Sequence, residues 1–488
     1  MNKTPAAGQA AHRTAGSLPP APPGMPAGSA VPAIGSRLRL PGHSSDPLFR
    51  NAYLLMINTG TTGVLGLAFW LLAARLYATA DVGRATAAYS AMNLLAGFTA
   101  FSLSGALARF IPQSGQRTGR LVARGYAVTS VASVTLAIGF LLTVGHGESS
   151  YSELGSLTAG VAFTAAVLAW GIFTMQDVVL IGLRSAHWVA AENGAFGLAK
   201  IALLVAFAAV IPQLGLFAAW MLPVLVALPL VNMLIFGRLV PRHVRLTGHR
   251  PPPTGRQIGR FLAGDVTGSL CMLATGNLIP VAVALLVGPG TNAYFYMAWT
   301  VGATVDLLAV NMATSLTVEG AFDATTLAVN CRAALRRTMI VLLPIVGVMA
   351  LAAPRVLGLF GAGYAAHGAP ILELLVAATI PKTATELYLG ALRAQSKTSR
   401  IALVQASRAV LMIGLALLLT NLMGTVGTGL AVLAAQLLTA MAIFPALRRI
   451  LVAGRHRPAA PAAPAAPAAP AAPAAPAAAP AAAQSGAA

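Results

Sequence analysis

Nine ionisable residues of this 488-residue sequence lie within long apolar runs. A charged side chain at the centre of a bilayer costs about 3 kcal/mol or more, so each such residue is a candidate for a functional role. The chemistry open to them is proton or cation binding, contact with a polar substrate, or a structural ion pair. The nine residues are Asp177, Glu192, Lys200, Asp265, Asp306, Glu373, Lys382, Glu386 and Arg408.

Three of these carboxylates, Asp265, Asp306 and Glu373, have no obvious partner in the sequence around them. A carboxylate in a low-dielectric region can take up H⁺, or bind Na⁺ when ionised, which is the chemistry of an antiporter's coupling site. A structural hydrogen bond between helices is the alternative for each of them.

Four of the other ionisable residues form two pairs with simpler interpretations. Lys382 and Glu386 are four residues apart and would share one helix face, where they could neutralise each other. Asp177 and Glu192 lie near the predicted cytoplasmic ends of their apolar runs, where we expect solvated or snorkelling carboxylates.

The first apolar run carries a polar ridge, with Asn58 and Thr62 beside Gly60, Gly63 and Gly66. Small residues in such a run more often mark close helix packing than a binding site. The alternative is that Asn58 and Thr62 line a hydrophilic cavity.

The elements that must position these residues are transmembrane helices. The chain is 57% hydrophobic and 9% charged, with a mean hydropathy of +0.76, whereas a soluble domain carries about 25% charged residues. A run of about 20 apolar residues is long enough to cross a bilayer. The sequence therefore predicts an all-α polytopic membrane protein with twelve transmembrane helices, near residues 51–74, 84–110, 122–144, 157–182, 188–211, 214–237, 260–287, 292–318, 334–359, 368–392, 400–421 and 425–447.

Basic residues are distributed very unevenly between alternate loops. Of the 32 Lys and Arg residues, 26 fall on one side of the predicted topology and only Arg75, Arg84 and Arg355 on the other. The excess of positive charge indicates the cytoplasmic side, so we expect both termini in the cytoplasm. Because the net charge of +20 comes from short clusters between spans, it does not indicate a nucleic-acid partner.

Two tails and a basic linker divide the chain. Residues 1–48 are rich in Pro, Gly and Ala, and residues 458–480 repeat Ala-Ala-Pro, so 1–48 and 454–488 are both predicted to be disordered cytoplasmic tails. Residues 49–240 and 258–453 are predicted to form two six-helix lobes, joined by a cytoplasmic basic linker at 241–257. With six spans each, both lobes would enter the membrane from the same side.

The sequence carries no enzyme, cofactor or metal-site motif that we recognise. It has no P-loop, CxxC or HExxH pattern, and its two cysteines, Cys271 and Cys331, fall in a predicted span and a predicted cytoplasmic loop. The outer loops are too short to hold the catalytic residues of a membrane glycosyltransferase or polymerase. We therefore expect a protein that is not an enzyme and needs no cofactor or metal, and that transports without hydrolysing ATP.

Three stretches resemble a known family. Residues Asn51–Pro112, with Ala-Arg-Leu-Tyr at the end of the first span and Arg-Phe-Ile-Pro at the end of the second, resemble the opening of bacterial polysaccharide flippases. Residues Ala369–Lys397 look like the tenth span of the same family, and VEGAFDATTLAVNCRAALRR is similar to its cytoplasmic connector. These flippases belong to the multidrug/oligosaccharidyl-lipid/polysaccharide exporter superfamily.

The resemblance implies two six-helix lobes around a central cavity, lined by spans one, two, seven and eight, in the bacterial inner (plasma) membrane. Its implied cargo is a polyprenyl-diphosphate-linked oligosaccharide, with membrane lipids as surroundings and a polysaccharide polymerase and glycosyltransferases as candidate partners. A diphosphate needs cationic contacts and a sugar needs polar ones. The candidate cavity residues are Asn58, Thr62, Arg75, Arg84, Arg109 and Asp306.

Relatives that extrude drugs use carboxylates of spans seven and ten for coupling, which implies Asp265 and Glu373 or Glu386 here, with H⁺ or Na⁺ as the ion. Arg109 has a second interpretation as a positive-inside anchor. Spans one and eight lack the deep arginines of relatives that flip the peptidoglycan precursor, which argues against that cargo.

Two other functions stay open at this point. A cation-coupled multidrug exporter would have the same fold and topology. A non-transporting scaffold of an envelope-synthesis complex would use the two tails as tethers.

Overall fold

The computed structural model describes residues 47–144, 150–249, 252–262, 273–322, 327–395 and 397–453. Within these ranges the regular structure is helical and no strand occurs. The chain divides into two units, residues 1–49 and 50–488, and every contact discussed below lies within the second unit. Most of both predicted tails lies outside the described residues.

Six long helices and one short helix form the N-terminal half. They are α1 (Pro47–Leu76), α2 (Thr79–Phe110), α3 (Thr118–Val144), α4 (Leu157–Gly182), α5 (Ala186–Val210), α6 (Pro212–Leu234) and α7 (Val240–Thr247). A π-helical turn, Ile235–Leu239, joins α6 to α7. Local sequence sets several helix starts: the Ser156 hydroxyl accepts a hydrogen bond from the Ala159 amide at the beginning of α4, and Pro212 occupies the first turn of α6, where its missing N–H costs nothing.

The C-terminal half begins with α8 (residues 255–262). After a π-helical turn at Ala274–Leu278 come α9 (Ile279–Leu286), α10 (Pro289–Phe322), α11 (Leu327–Gly358), α12 (Ala362–Ala394) and α13 (Thr398–Ala453). Gly361 precedes α12 at a φ of 145°. Gly424, at a φ of 66°, breaks α13 into two helices. Glycine suits both positions because side chains disfavour positive φ.

Described helices that are long and apolar enough to cross a membrane cover nine of the twelve predicted spans. Seven helical segments are long and apolar enough to cross a membrane, and α2, bent by 50°, makes an eighth. One of the seven, Ser399–Leu451, contains the break at Gly424 and so supplies the last two predicted spans. Predicted span seven is described on either side of residues 263–272. The chain is an all-α polytopic membrane protein, as the sequence predicts.

Packing separates the helices into two bundles. In the N-terminal bundle α4 packs against α2 and α3, and α5 packs against α6; in the C-terminal bundle α10, α11 and α13 surround α12. The main contact between the bundles joins α2 to α10, which lie at the second predicted span of each half. We call the end of the molecule that carries Arg75, Arg84 and Arg355 the outer end, following the predicted orientation, and the opposite end the inner end.

Candidate functional site

A cavity of about 300 Å³ lies within the C-terminal bundle. Its walls come from the π-helical turn before α9 and from α10, α12 and α13. The lining combines apolar and small residues, such as Trp299 and Gly302, with five charged side chains. Those five are Asp306, Lys382, Glu386, Arg393 and Arg408.

Asp306 pairs with residues of α12. The Lys382 ammonium lies 2.7 Å from the Asp306 carboxylate, and the Thr379 hydroxyl donates a 2.8 Å hydrogen bond to it. Both charged side chains keep partial exposure, 20% for Lys382 and 32% for Asp306. The predicted functional carboxylate therefore has a partner on another helix, which the sequence alone did not show.

Glu386 pairs with Arg408 of α13, at 2.7 Å between the carboxylate and a guanidinium nitrogen. Both side chains are buried, at 9% and 7% exposure. Lys382 and Glu386 therefore do not form an ion pair with each other within the 4 Å that defines one. The two residues share α12, but each forms its ion pair with a different helix.

Arg393 lines the same cavity near the inner end of α12. It is exposed, and it forms no ion pair within the described part of the chain. The cavity thus holds three cationic side chains against two carboxylates, and the unpaired one stands nearest the inner end. From the sequence, Arg393 is one of the 26 basic residues on the predicted cytoplasmic side, because its position at a helix end matches the charge rule.

Glu373, another predicted coupling residue, does not line this cavity. Glu373 is exposed on α12 and forms no ion pair with another described residue. Asp265 lies outside the described residues.

Hydrogen bonds across the two bundles close the outer end. The side-chain amide of Asn292 in α10 donates to the Gly83 carbonyl at 2.9 Å and to the Thr86 hydroxyl at 3.2 Å, both in α2. Ser150 donates through its amide to the Ala284 carbonyl (3.2 Å) and through its hydroxyl to a second carbonyl of the C-terminal half, that of Val287 (3.0 Å). Asn292 was not among the predicted site residues.

Arg75 takes part in the same closure. Its guanidinium donates to the carbonyls of Leu359 (2.6 Å) and Gly358 (3.2 Å), at the end of α11. The last carbonyls of a helix lack partners within it and carry partial negative charge, so a cation is well placed there. In this conformation Arg75 joins the two bundles, because its guanidinium donates hydrogen bonds to backbone carbonyls of the C-terminal bundle.

The two other predicted arginines lie at opposite ends of α2. Arg84, at the outer end, forms ion pairs with Asp81 and, at 3.1 Å, with Glu153. Arg109, at the inner end, lies over the ring of Phe261 in α8, 5.0 Å from its centroid. Arg109 is therefore in contact with the C-terminal half, and its role as a positive-inside anchor stays a prediction.

The predicted polar ridge of α1 is described only in part. Thr62 is exposed, consistent with a position facing a cavity or lipid. Asn58 lies in α1, and its side chain falls outside the described residues.

The N-terminal bundle contains an aromatic cluster that the sequence analysis did not identify. Trp220 lies within 6 Å of each of Phe69, Trp70, Tyr89, Trp170 and Phe196 by ring-centroid distance. Tyr296 of α10 joins it by an edge contact to Trp70 at 5.2 Å. The cluster thus extends from one bundle to the other.

Lys200 is buried against this cluster, at 3% exposure. Its ammonium lies 4.0 Å from the Trp220 ring centroid and about 5 Å from those of Phe196 and Phe69. No carboxylate of the described residues lies within ion-pair distance. Cation–π contacts are the only stabilising partners that we find for this charge in the described part of the chain.

Comparison with known proteins gives a fold. No protein-family model and no curated protein sequence matches the chain. Among solved structures it is similar to an inward-facing conformation of a multidrug resistance MATE family transporter of the MOP superfamily, with a TM-score of 0.63, 16% sequence identity, and coverage of 81% of this chain and 95% of the other.

Two further structures give similar results. A MOP superfamily transporter from Pyrococcus furiosus has a TM-score of 0.58 at 16% identity, covering 84% of this chain and 96% of that one. An outward-facing conformation of a multidrug resistance MATE family transporter has a TM-score of 0.52 at 17% identity, with the same coverage. The chain therefore has the fold of the MOP-superfamily transporters.

Proposed function

We propose that this protein moves a polyprenyl-diphosphate-linked oligosaccharide from the inner to the outer face of the bacterial plasma membrane by alternating access, for the synthesis of a cell-surface polysaccharide. Both termini would be cytoplasmic, and the enzymes that assemble and polymerise the glycan would be its partners. The fold supports a transporter, and the resemblance of Asn51–Pro112 to polysaccharide flippases supports this cargo.

The observation that carries the proposal is Arg393, a cation of the C-terminal cavity that has no ion-pair partner among the described residues. Asp306 and Glu386 each have a basic partner, which leaves Arg393 free to meet an anion. Arginine binds phosphate oxygens through two parallel hydrogen bonds, so a diphosphate suits it well. The cavity's amides, Gln405 and Gln436, add the polar contacts that a sugar requires.

The closed outer end supports alternating access. Its hydrogen bonds join side chains of one bundle to backbone carbonyls of the other, as Asn292 and Arg75 show. Contacts of this kind can exchange for water when the bundles separate, because each group is polar and small. The opposite conformation would open the same interface.

The test is transfer of a fluorescent undecaprenyl-diphosphate oligosaccharide between leaflets of proteoliposomes. We expect the protein to make the lipid on the inner leaflet accessible to an impermeant quencher, and Arg393→Gln to slow that transfer at least tenfold. The matched control is Arg400→Gln, which removes an exposed basic residue close in sequence that does not line the cavity. Transfer no faster than in protein-free vesicles would reject the proposal.

A multidrug exporter is the second candidate, favoured by the aromatic cluster around Trp220. Aromatic faces bind planar organic cations. Ethidium accumulation in the same vesicles distinguishes the two: a flippase leaves it unchanged, whereas a drug exporter drives it and leaves the glycolipid in place.

A further inference from the structure

One face of α3 is exposed along most of the helix. The opposite face packs into the N-terminal bundle through buried residues that include Val122, Thr129 and Ser133. The exposed face changes character along its length, since it is basic near the inner end and apolar beyond the first two turns. A phospholipid has the same order of parts, with a polar headgroup followed by acyl chains.

The basic part of this face consists of three arginines. Arg117 immediately precedes α3, and Arg120 and Arg124 lie in its first two turns. Residues three, four or seven positions apart share a helix face, so the three form one row. All three are exposed, and none belongs to an ion pair with another described residue. Basic residues at the cytoplasmic end of a membrane helix attract anionic headgroups.

A groove of about 540 Å³ continues the same face toward the middle of the helix. It is lined by Phe98 of α2 and by six residues of α3 within 127–136. Val128 and Val131 of this lining are 53% and 69% exposed. Its one polar side chain, Thr135, donates its hydroxyl to the Val131 carbonyl at 2.8 Å, so that group is already satisfied. The groove therefore suits a hydrocarbon chain.

The length and depth of the groove match one leaflet of a bilayer. Residues 127–136 rise about 14 Å along α3, and half of the hydrocarbon core is about 15 Å thick. With 27 residues, α3 is about 40 Å long, so about 10 Å of it extends beyond the hydrocarbon. Arg124 precedes the groove by three residues, or about 5 Å, which is consistent with a position among the headgroups.

We propose that this face of α3 binds an anionic phospholipid of the leaflet at the inner end. Its phosphate accepts hydrogen bonds from Arg120 and Arg124, and one acyl chain fills the groove between α3 and Phe98 of α2. An acidic protein segment would match the arginines but not the groove, whereas a neutral lipid would match the groove but not the arginines. The site is separate from the cavity of the C-terminal bundle and does not depend on the proposed function.

The test is native mass spectrometry of the full chain in detergent, titrated with dioleoylphosphatidylglycerol or dioleoylphosphatidylcholine. We expect the first anionic lipid to bind about tenfold more tightly than the first neutral lipid, and Arg120→Gln with Arg124→Gln to remove that preference. The matched control is Arg336→Gln with Arg337→Gln, which removes the same charge from exposed residues of α11 and should keep it. Equal loss in both double variants, or no preference in the unsubstituted protein, would overturn the proposal.

A second pair of variants tests the groove. Val131→Trp fills it and should weaken binding of the anionic lipid about tenfold. Val410→Trp adds the same side chain at a valine of α13 that is 73% exposed and lies at a similar distance from the inner end of its helix, and should leave the affinity unchanged. All the substituted residues are exposed, so none of the changes disturbs a buried contact. An unchanged affinity in Val131→Trp would contradict the site.

Competition separates the other possible occupants. Glycerol phosphate, which carries the phosphate without acyl chains, should not displace the lipid, because the groove would stay empty. Displacement by glycerol phosphate at a comparable concentration would make this a site for free phosphates. Displacement by an equal concentration of undecaprenyl phosphate would assign the groove to the carrier of the cargo, and a dimer that Val131→Trp abolishes would assign it to a second copy of the chain. Each of these results overturns the proposal.

Discussion

Gly83 of α2 lies directly against Pro289, the first residue of α10, so that a Cβ at position 83 would overlap the Pro289 carbonyl oxygen. This contact brings α2 of one bundle and α10 of the other together at the outer end. The Asn292 amide donates to the Gly83 carbonyl in the same place, at 2.9 Å. Backbone approaches backbone here, and only glycine leaves room for it.

Replacing Gly83 with valine should disfavour closure of the outer end. The new side chain meets backbone atoms of α10 that cannot move aside, so the bundles must separate. Ser90 is buried, at 4% exposure, beneath the closure, so Ser90→Cys provides a probe of opening. When Gly83→Val is also present, we expect the cysteine at position 90 to react with an impermeant thiol reagent from the outside. Both native cysteines would first be replaced with serine.

Gly290→Val is the matched control for that experiment. Gly290 follows Pro289 on the other side of the same contact, and a Cβ there meets open space. Equal labelling of the cysteine at position 90 in both variants would mean that the Gly83 contact does not hold the outer end closed.

Arg75→Gln should weaken the same closure by a smaller amount. The change removes the donors to the Gly358 and Leu359 carbonyls. A hydrogen bond from a charged group contributes about 1.5–3 kcal/mol, and less where water reaches it, as it does at this exposed guanidinium. We expect the cysteine at position 90 to label several-fold faster than in the unsubstituted protein. Arg355→Gln removes an exposed outer arginine without a described hydrogen bond, and should leave the rate unchanged.

Hydropathy was sufficient to predict the helices but not how they pair. The break at Gly424 falls between predicted spans eleven and twelve, and the bounds of α3 and α4 agree with the predicted spans to within a few residues. The length of an apolar run must match the thickness of the bilayer, and that length can be read from the local sequence.

The ion pairs could not be predicted because they join distant residues. Lys382 and Glu386 are near each other in sequence, yet their partners are Asp306 and Arg408, 76 and 22 positions away. Glu192 shows the same difficulty, since we expected a solvated carboxylate and the structure buries it beneath its neighbours. The spacing of residues along one helix predicts which of them share a face. Whether that face is buried depends on which other helix covers it.

Removing one member of the Glu386–Arg408 pair should destabilise the C-terminal bundle. Glu386→Gln leaves the buried Arg408 without its 2.7 Å partner, and an uncompensated buried charge costs about 3–5 kcal/mol. Replacing both residues, as Glu386→Leu with Arg408→Met, should cost much less because no charge is left. Unfolding in lipid nanodiscs, followed by tryptophan fluorescence, measures the difference. A double variant less stable than Glu386→Gln would contradict this account.

Unlike Arg408, the buried Lys200 has no carboxylate partner among the described residues, and the only partners described for its charge are aromatic rings. Cation–π contacts contribute about 0.5–2 kcal/mol, whereas burying an ammonium costs several kcal/mol. Lys200→Met keeps the length of the side chain and removes the charge, so we expect thermal stability to rise or stay the same. If transport falls at the same time, the lysine is retained for function at the expense of stability.

A double-mutant cycle with Trp220→Leu isolates the contact itself. The Lys200 ammonium lies 4.0 Å from the Trp220 ring centroid, so we expect a coupling energy of about 1 kcal/mol between the two positions. Phe173, which packs on Trp170 and Phe196 within the same cluster, makes no described contact with the ammonium. A cycle of Lys200→Met with Phe173→Leu should therefore show little coupling. Equal coupling in both cycles would mean that Lys200 acts through general packing of the cluster, and that the Trp220 ring does not stabilise its charge.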